Sequence, residues 1–223
     1  MNSNYKVLKF KSKNLREVDD QVSIEEPLEI IIKYKEKENW IENTISITMR
    51  TPGDDEDLVR GFLFNERVIE KINYIESIEL AGEPVGKYKL KNKAVVTINN
   101  SENIDIDKIK RNFLTNSSCG VCGKTSLDSL EIIKKDKIVK SFPKIKYDII
   151  MKSPNMLRQN QSEFSKTGGI HASGLFKFSG DIIAVKEDVG RHNALDKLIG
   201  FVLKKELLDN SSQFLTCSGR LNF

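Results

Sequence analysis

The sequence predicts a mixed α/β fold in two parts that meet near residue 112. Residues before that point have the patterns of strands with one helix among them, and residues after it mix helical and strand-like patterns. Helices that cover the apolar faces of sheets are typical of α/β and α+β folds. A chain of 223 residues is long enough for one large domain or for two small ones.

In the first part, residues 1–20 are polar, which predicts a poorly ordered segment or an edge element. Thr51–Asp57 has an early proline followed by acidic residues, and this composition predicts the start of a helix. Four segments have the β-branched content or the alternation of strands, namely Leu28–Tyr34, Thr44–Met49, Ile75–Leu80 and Tyr88–Ile98. We expect the first two of these strands to pair as a hairpin.

In the second part, Thr167–Gly174 is predicted to be a glycine-rich loop, and Phe176–Val185 a hairpin that turns at Ser179–Asp181. Phe214–Cys217 has the pattern of a short strand. Helical patterns occupy three segments of this part, namely Thr125–Ile133, Pro154–Phe164 and the residues that follow Glu187–Asn193, and Ile104–Phe113 before it is predicted to be a short helix that leads into the cysteine segment. Strands and helices in this order predict a sheet with helical cover.

Composition excludes several classes of protein. Hydrophobic residues make up 39% and charged residues 30% of the chain, which indicates a soluble globular protein. No apolar run reaches the roughly 20 residues of a membrane span, and three cysteines argue against a secreted disulfide scaffold. The net charge of +4 is spread among acids without an arginine-rich stripe, which argues against nucleic-acid binding. We therefore expect a cytoplasmic protein.

Two cysteines lie in a segment that suits thiol chemistry. Cys119 and Cys122 stand two residues apart among glycines and serines, and Lys124 follows them. A neighbouring cation lowers the pKa of a thiol and favours the thiolate. The pair could form a disulfide, a persulfide or half of a metal site. The polar residues before it fit a loop better than the buried strand that precedes a thioredoxin-like pair.

The alternative for this pair is a structural zinc site, which takes four ligands. The remaining soft ligands of the chain, Cys217, His171 and His192, do not form a second pair with ligand spacing. The motif therefore favours sulfur or redox chemistry over structural metal, and Cys217 is predicted to be a small buried residue of a strand.

Two further segments predict an anion site. Backbone amides at Gly168 and Gly169, with His171 close behind, could hold phosphate, although the loop is not a P-loop. Arg191 and His192 at a helix entrance could bind the same anion, and Arg220 could add a second cation. The simpler interpretations are a tight turn for the loop, and a helix cap formed by Asp188 or Asn193.

Five separated motifs in the same order resemble the formate dehydrogenase accessory sulfurtransferases, the FdhD family, from about residue 22 to the end of the chain. They are Thr51–Leu63, Cys119–Gly123, Thr167–Gly174, Glu187–Ala194 and Ser218–Arg220. The resemblance implies an N-terminal α+β part (1–112) and a cytidine-deaminase-like three-layer α/β domain (113–223), commonly as a homodimer.

The resemblance also implies a function. A cysteine desulfurase would load sulfur onto Cys119 as a persulfide, with Cys122 assisting or resolving it. The sulfur would pass to the molybdenum of a bis(molybdopterin guanine dinucleotide) cofactor that serves formate dehydrogenase. Its phosphates would suit a site formed by Gly168, Gly169, His171, Arg191, His192 and Arg220.

The family fold is related to zinc deaminases, but the sequence lacks their H-x-E and P-C-x-x-C motifs. We therefore expect neither deaminase chemistry nor a permanently bound metal. Family members continue past the Ser218–Arg220 motif, so we also expect the chain, which ends at Phe223, to be incomplete at its C-terminus. Two alternatives stay open: a chaperone that binds the cofactor without moving sulfur, and a protein stabilised by zinc at Cys119, Cys122 and a histidine.

Overall fold

The computed structural model describes residues 1–11, 13–99, 104, 144–209 and 212–220. Cys119, Cys122, the helix predicted over Thr125–Ile133 and all but the first residue of the helix predicted over Ile104–Phe113 lie outside the described residues. The boundary near residue 112 lies outside them as well, so the division into residues 1–112 and 113–223 stays a prediction.

The described residues confirm a mixed α/β fold. The first half contains β1 (Asn2–Lys11), β2 (Asn14–Ser23), β3 (Glu26–Glu36), β4 (Asn39–Arg50), α1 (Asp55–Asn65), a 3-10 turn (Ile72–Tyr74), β5 (Ile75–Ala81) and β6 (Lys93–Ile98). The second half contains α2 (Tyr147–Gln159), α3 (Ser162–Thr167), β7 (His171–Lys177), β8 (Ile182–Asp188), α4 (Arg191–Lys204) and β9 (Gln213–Cys217). None of the helices in these ranges is long and apolar enough to cross a membrane.

The first half is built around a sheet that, in the described ranges, has the strand order β4-β3-β6-β5. β3 pairs antiparallel with β4, as predicted, and parallel with β6. Alternate residues of β3 point into one core, and they are Leu28, Ile30, Ile32 and Tyr34. Because Leu58, Val59 and Leu63 of α1 are buried in the same core, the helix covers that face of the sheet.

The second half is a sheet with helices on both faces. Its described strands have the order β8-β7-β9, and all neighbours are antiparallel. Leu157 of α2 packs with Ala172 and Phe176 on one face of β7. Leu175, whose side chain alternates to the other face, packs with Leu198 of α4. The layers agree with the three-layer α/β domain that the family resemblance implies.

Helices α1 and α4 join the two halves at very short range. Gly61 of α1 faces the backbone of Asp196, and Gly200 of α4 faces the backbone of Asp57. A Cβ atom at either glycine would collide with a main-chain oxygen, so only glycine permits this helix separation. Beside the crossing, Asn65 Nδ2 donates a hydrogen bond of 2.6 Å to Asp196 Oδ1.

Of the two alternatives predicted for residues 1–20, a poorly ordered segment and an edge element, the structure shows the second. β1 and β2 form a hairpin with continuous antiparallel register from Asn2–Ser23 to Lys11–Asn14. Ion pairs between the strands contribute to this pairing, with Lys6 3.0 Å from Glu17 and Lys9 2.9 Å from Asp20. A strand pair of this kind lacks the apolar alternation used to recognise strands, and for that reason the sequence pattern left both alternatives open and did not indicate the hairpin.

Three element boundaries also differ. The predicted glycine-rich loop is shorter, because β7 begins at His171, and the strand predicted from Tyr88 begins at Lys93. The helix predicted over Pro154–Phe164 is two helices, the first of which begins at Tyr147 and contains Pro154. Proline cannot donate to the carbonyl four residues before it. Ser153 Oγ donates to that carbonyl, Ile150 O, at 2.9 Å and compensates for the missing donor.

Asp196 makes the stability of the fold depend on pH. Burial raises the pKa of its carboxyl from 3.8 to about 7, against the hydrogen bond from Asn65, which lowers it. The folded chain therefore retains this proton at pH values where the unfolded chain has lost it. The contribution of this carboxyl to the unfolding free energy is fully present below pH 3.8 and is lost as the pH rises from there to about 7. Above about pH 7 it no longer changes with pH.

We expect Asp196→Asn to remove this dependence, because an amide does not titrate. The unfolding free energy of the wild-type chain minus that of the variant should fall by up to about 4 kcal/mol between pH 4 and pH 7, at about 1.36 kcal/mol per pKa unit. Urea unfolding across this pH range measures the difference. Asp148→Asn, at an exposed position of α2, is the control and should leave the wild-type slope unchanged. If the difference in unfolding free energy between the wild-type chain and Asp196→Asn does not change with pH, the raised pKa of Asp196 is contradicted.

Candidate functional site

A buried carboxylate organises the start of α4. Asp188 is fully buried at the end of β8, and its Oδ2 lies 2.7 Å from Lys197 Nζ and accepts the Thr51 N–H at 3.1 Å. Its Oδ1 accepts the Gly190 N–H at 2.9 Å and Asn193 Nδ2 at 3.2 Å. Four donors satisfy this buried carboxylate, as is typical of charged groups in the interior, which are paired and hydrogen-bonded.

The partners of Asp188 extend this network into the first half of the chain. Lys197 Nζ also donates to Thr51 O at 2.7 Å, and Thr51 Oγ1 accepts the Val189 N–H at 3.1 Å. Asn193 Nδ2 donates to Met49 O at 2.7 Å. The turn before α4 is therefore attached to the connection between β4 and α1.

This arrangement corrects the helix-cap interpretation of Asp188 and Asn193. The N-cap position of α4 is Gly190, and the two polar side chains bond to each other and to the neighbouring turn instead. Sequence reasoning missed Lys197, which is only 2% exposed. The available signal was its position four residues after Asn193, on the apolar side of a helix where a charged residue needs a partner.

Three of the predicted site residues meet at the end of the second sheet. His171 Nδ1 lies 3.3 Å from Ser218 Oγ, and that hydroxyl accepts the Ala172 N–H at 2.9 Å. Arg191 Nε donates to Arg220 O at 2.8 Å.

Gly219 lies between these side chains. A Cβ atom on Gly219 would stand 3.2 Å from His171 Nδ1 and 3.4 Å from Arg191 Cβ, so the glycine permits the close approach of the imidazole and the guanidinium stem. The ends of β7, β9 and α4 thus bring together one imidazole, one guanidinium group, a hydroxyl and the backbone carbonyl of Arg220, whose side chain is exposed. We call His171, Arg191, Ser218, Gly219 and Arg220 the β-end cluster.

The remaining predicted residues are neighbours of this cluster in the chain. Gly168 and Gly169 are exposed and precede His171 by three and two residues, and Gly168 ends α3 with a φ of 68°. His192 is half-buried and follows Arg191 in α4. The structure therefore brings His171, Arg191 and Arg220 into one group, while the glycines are exposed beside the start of β7.

The short helix α3 is held at both ends. Glu187 accepts the N–H groups of Glu163 and Phe164, both at 2.9 Å, and so caps its first turn. At its last residue, Thr167 Oγ1 accepts the Ser23 hydroxyl at 2.8 Å. These contacts define the position of the Gly168 turn that follows.

Cys217 is not the fully buried residue that its strand predicted. It is half-buried and its Sγ accepts a hydrogen bond from Ser173 Oγ at 3.3 Å. Burial raises the pKa of this thiol, which disfavours the thiolate that sulfur chemistry needs. In the described ranges, no three histidine, cysteine or acidic side chains are grouped as a metal site would require.

Sequence analysis did not predict a surface pocket of about 340 Å³ where the two halves meet. The turn Thr51–Asp54 lines one side of it, and Ser162–Glu163, Ile170 and Lys186–Glu187 line the other. Lys186 lies 3.0 Å from Asp54 and 3.1 Å from Asp57. The charged side chains of this pocket are therefore largely engaged with one another, and we do not assign a ligand to it.

The Asp188–Lys197 pair can be tested by removing one partner. Lys197→Met should cost about 3–5 kcal/mol of unfolding free energy, because it leaves a buried carboxylate without its cation. Adding Asp188→Asn should recover part of that loss. Lys204→Met on the same helix, where the lysine is 45% exposed and 3.3 Å from Glu56, should cost about 1 kcal/mol or less. Chemical denaturation measures all four proteins. If Lys197→Met and Lys204→Met lower the unfolding free energy by the same amount, the buried pair is no more important for stability than an exposed one.

Comparison with known proteins places the chain in a family. A model of the FdhD/NarQ family matches residues 23–223. The chain is similar to the "Sulfur carrier protein FdhD" of Picrophilus torridus, with 43% identity over 207 residues, 92% of this chain and 72% of that protein. It is also similar to the proteins of the same name from Sulfolobus acidocaldarius and Streptomyces coelicolor, with 36% and 37% identity over 98% of this chain and 76% and 75% of theirs.

The fold has a counterpart among solved structures. A crystal structure of a protein described as a formate dehydrogenase accessory protein, from Desulfotalea psychrophila, matches with a TM-score of 0.66 and covers 99% of this chain and 76% of its own. At 22% identity, this match supports the fold alone. The sequence matches are stronger, and the range that the family model matches, residues 23–223, includes the positions of the β-end cluster. The chain is therefore a member of the FdhD/NarQ family.

Proposed function

We propose that the chain is a sulfurtransferase that carries sulfur as a cysteine persulfide. It receives the sulfur from a cysteine desulfurase and delivers it to the molybdenum of a bis(molybdopterin guanine dinucleotide) cofactor needed by formate dehydrogenase. The observation that carries the proposal is the 43% identity, over 92% of the chain, to a protein named a sulfur carrier. The chain also has the Cys119–Cys122 pair that such chemistry requires.

Loading needs one thiolate and one persulfide. The Cys119 thiolate attacks the outer sulfur of the persulfide on the donor enzyme, a new S–S bond forms on Cys119, and the S–S bond of the donor breaks. The donor cysteine leaves as a thiolate with the electron pair, so no external oxidant is consumed. Lys124, two residues after Cys122, favours the thiolate in this step by its charge.

In the delivery step, the outer sulfur of the persulfide leaves as sulfide. The Cys122 thiolate attacks the inner sulfur of the Cys119 persulfide, a disulfide forms between the two cysteines, and sulfide leaves toward the metal of the acceptor. The two cysteines are oxidised by two electrons while the outer sulfur is reduced by two. A dithiol reductant then restores both thiols for the next cycle.

The β-end cluster suits the phosphates of the acceptor. The described contacts of Arg191 involve only its Nε, so both Nη groups are available to an anion. His171 belongs to the same cluster, and Gly168, Gly169 and the Arg220 side chain are exposed. Guanidinium groups form paired, charge-assisted hydrogen bonds with phosphate oxygens, and backbone amides add neutral donors. We include His192, the next residue of α4, in this site.

The proposed partners follow from these two steps. The cysteine desulfurase is the donor, the molybdenum cofactor is the acceptor, and formate dehydrogenase receives the product. We further propose that the chain works in the cytoplasm as a homodimer. Relatives of the chain carry the name sulfur carrier protein, which supports a role in sulfur transfer.

Persulfide loading is the first test. The purified chain, incubated with a cysteine desulfurase and cysteine, should gain one sulfur of about 32 Da on the peptide that contains Cys119 and Cys122. Cys119→Ser should abolish the gain, and Cys217→Ser should retain it. Intact mass and peptide mapping provide the measurement. A folded wild-type chain that gains no sulfur from an active desulfurase would contradict the proposal and favour a protein that only binds the cofactor.

Phosphate binding at the β-end cluster is tested separately. Inorganic pyrophosphate serves as the probe, and its dissociation constant is measured by calorimetry. Arg191→Gln should weaken binding by about tenfold or more, because a charge-assisted hydrogen bond contributes roughly 1.5–3 kcal/mol. Arg60→Gln is the control, since Arg60 pairs with Glu56 at 3.0 Å on another helix. Unchanged affinity in both Arg191→Gln and Arg220→Gln would exclude this cluster as the phosphate site.

A further inference from the structure

The Ser218 hydroxyl is held in place by the second sheet. Ser218 directly follows β9, and its N–H donates to Ala172 O at 2.9 Å, while its Oγ accepts the N–H of the same residue at 2.9 Å. Ala172 is a buried residue of β7, and a buried amide needs an acceptor. Although Ser218 is itself exposed, its hydroxyl oxygen therefore has a defined position before any ligand binds.

The imidazole of His171 lies against this hydroxyl. Its Nδ1 is 3.3 Å from Ser218 Oγ, and a Cβ atom at Gly219 would lie 3.2 Å from Nδ1 and 3.3 Å from Cε1. This edge of the ring therefore faces the turn formed by residues 218–220. The described residues give the other ring nitrogen, Nε2, no hydrogen-bond partner, which leaves it to a ligand.

The number of available hydrogens decides which of the two groups donates. A serine hydroxyl has one hydrogen to donate and two lone pairs that accept, and the Ala172 N–H already uses one lone pair of Ser218. If His171 Nδ1–H donated to Ser218 Oγ, the hydroxyl hydrogen would lack an acceptor among the described residues. If Oγ–H donates to Nδ1, the hydrogen and the ring nitrogen are both satisfied. The second arrangement places the proton of the neutral ring on Nε2.

We propose that Ser218 is a positioning residue for phosphate binding by His171. Its hydroxyl donates to Nδ1 and holds the ring so that the Nε2–H donates to a phosphate oxygen. The neutral ring in this tautomer and the imidazolium both carry that hydrogen, whereas the opposite tautomer would present a lone pair to the phosphate. The inference rests on the phosphate site of the proposed function, and it gives a role to a residue that does not itself contact the phosphate.

The same turn holds the guanidinium of the β-end cluster. Arg191 Nε donates to Arg220 O at 2.8 Å, two residues after Ser218. A side chain that is already ordered loses less conformational entropy on binding, so both attachments favour affinity. Because the guanidinium and the Nε2–H are donors, the site selects ligands that present acceptor oxygens, as phosphate does.

The tautomer can be measured directly on the ligand-free chain. Two-bond correlation spectra of the 15N-labelled protein distinguish the protonated ring nitrogen from the unprotonated one. The chain has two histidines, so the signals lost in His171→Ala belong to His171. At alkaline pH, at which imidazole is neutral, we expect a single tautomer with the proton on Nε2, and Ser218→Ala should admit the other tautomer. A proton on Nδ1 in the wild-type chain overturns the inference.

Pyrophosphate binding, measured by calorimetry, tests whether Ser218 acts through His171. Ser218→Ala should weaken binding about threefold, as expected when one more side chain must be ordered on binding, and Ser218→Thr, which keeps the hydroxyl, should restore most of the affinity. In the His171→Ala background, Ser218→Ala should have no further effect, because the side chain through which it acts is gone. An equal loss in both backgrounds overturns the inference, since Ser218 would then act on the turn alone.

Ser179→Ala is the matched control. Ser179 is exposed in the turn at the other end of β7, where its Oγ donates to Asp181 at 2.8 Å, and its loss should change neither the tautomer nor the affinity. Circular dichroism verifies that each variant folds.

Failure of this inference is distinguishable from failure of the proposed function. A wild-type chain that loads sulfur and binds pyrophosphate while His171 has its proton on Nδ1 overturns this inference alone. A wild-type chain that does not bind pyrophosphate overturns the phosphate site and this inference together.

Discussion

A carboxylate and an ammonium, both almost fully removed from water, connect the two halves of this chain. Asp188 and Lys197 lie 2.7 Å apart, and their remaining bonding capacity is directed to the turn at Thr51 and to the start of α4. A pair in this position contributes little to stability compared with apolar packing, but it strongly penalises arrangements that separate its members. Its main effect is therefore on the specificity of the fold: α4 has one position relative to the first sheet.

The β-end cluster depends on that position. Arg191 is the first residue of α4, and it meets Arg220 and His171 only because Asp188 and Asn193 hold the preceding turn in place. Gly61 and Gly200 at the α1–α4 crossing also fix the position of α4, since two helices whose main chains are in contact have little freedom to slide. The geometry of a surface cluster is thus determined by groups in the interior.

The elements with clear periodicity could be predicted from the sequence. β3 alternates buried and half-buried residues, α1 follows a proline and acidic residues, and the β7–β8 hairpin turns at the predicted glycine. For the β1–β2 hairpin the sequence could only leave two alternatives, disorder or an edge element, because its strands are joined partly by ion pairs rather than by apolar alternation. The start of α2 at Tyr147 could not be predicted either, since a proline usually indicates the start of a helix, and Ser153 compensates for Pro154 inside this one.

In the site, residue types indicated Arg191 and His171. The role of Lys197 could not be predicted, because it depends on Asp188, nine residues away, which only the folded chain brings close.

The two attachments of α3 have a consequence for ligand binding. A six-residue helix has little intrinsic stability, yet Glu187 holds its beginning and Ser23 its end. The turn at Gly168 is therefore already formed before any ligand arrives. A ligand that accepts hydrogen bonds from this turn meets amides whose ordering cost was met during folding, and more of its interaction energy remains as affinity. Since one of the two attachments comes from Ser23 of β2, the β1–β2 hairpin contributes to this preorganisation from outside the site itself.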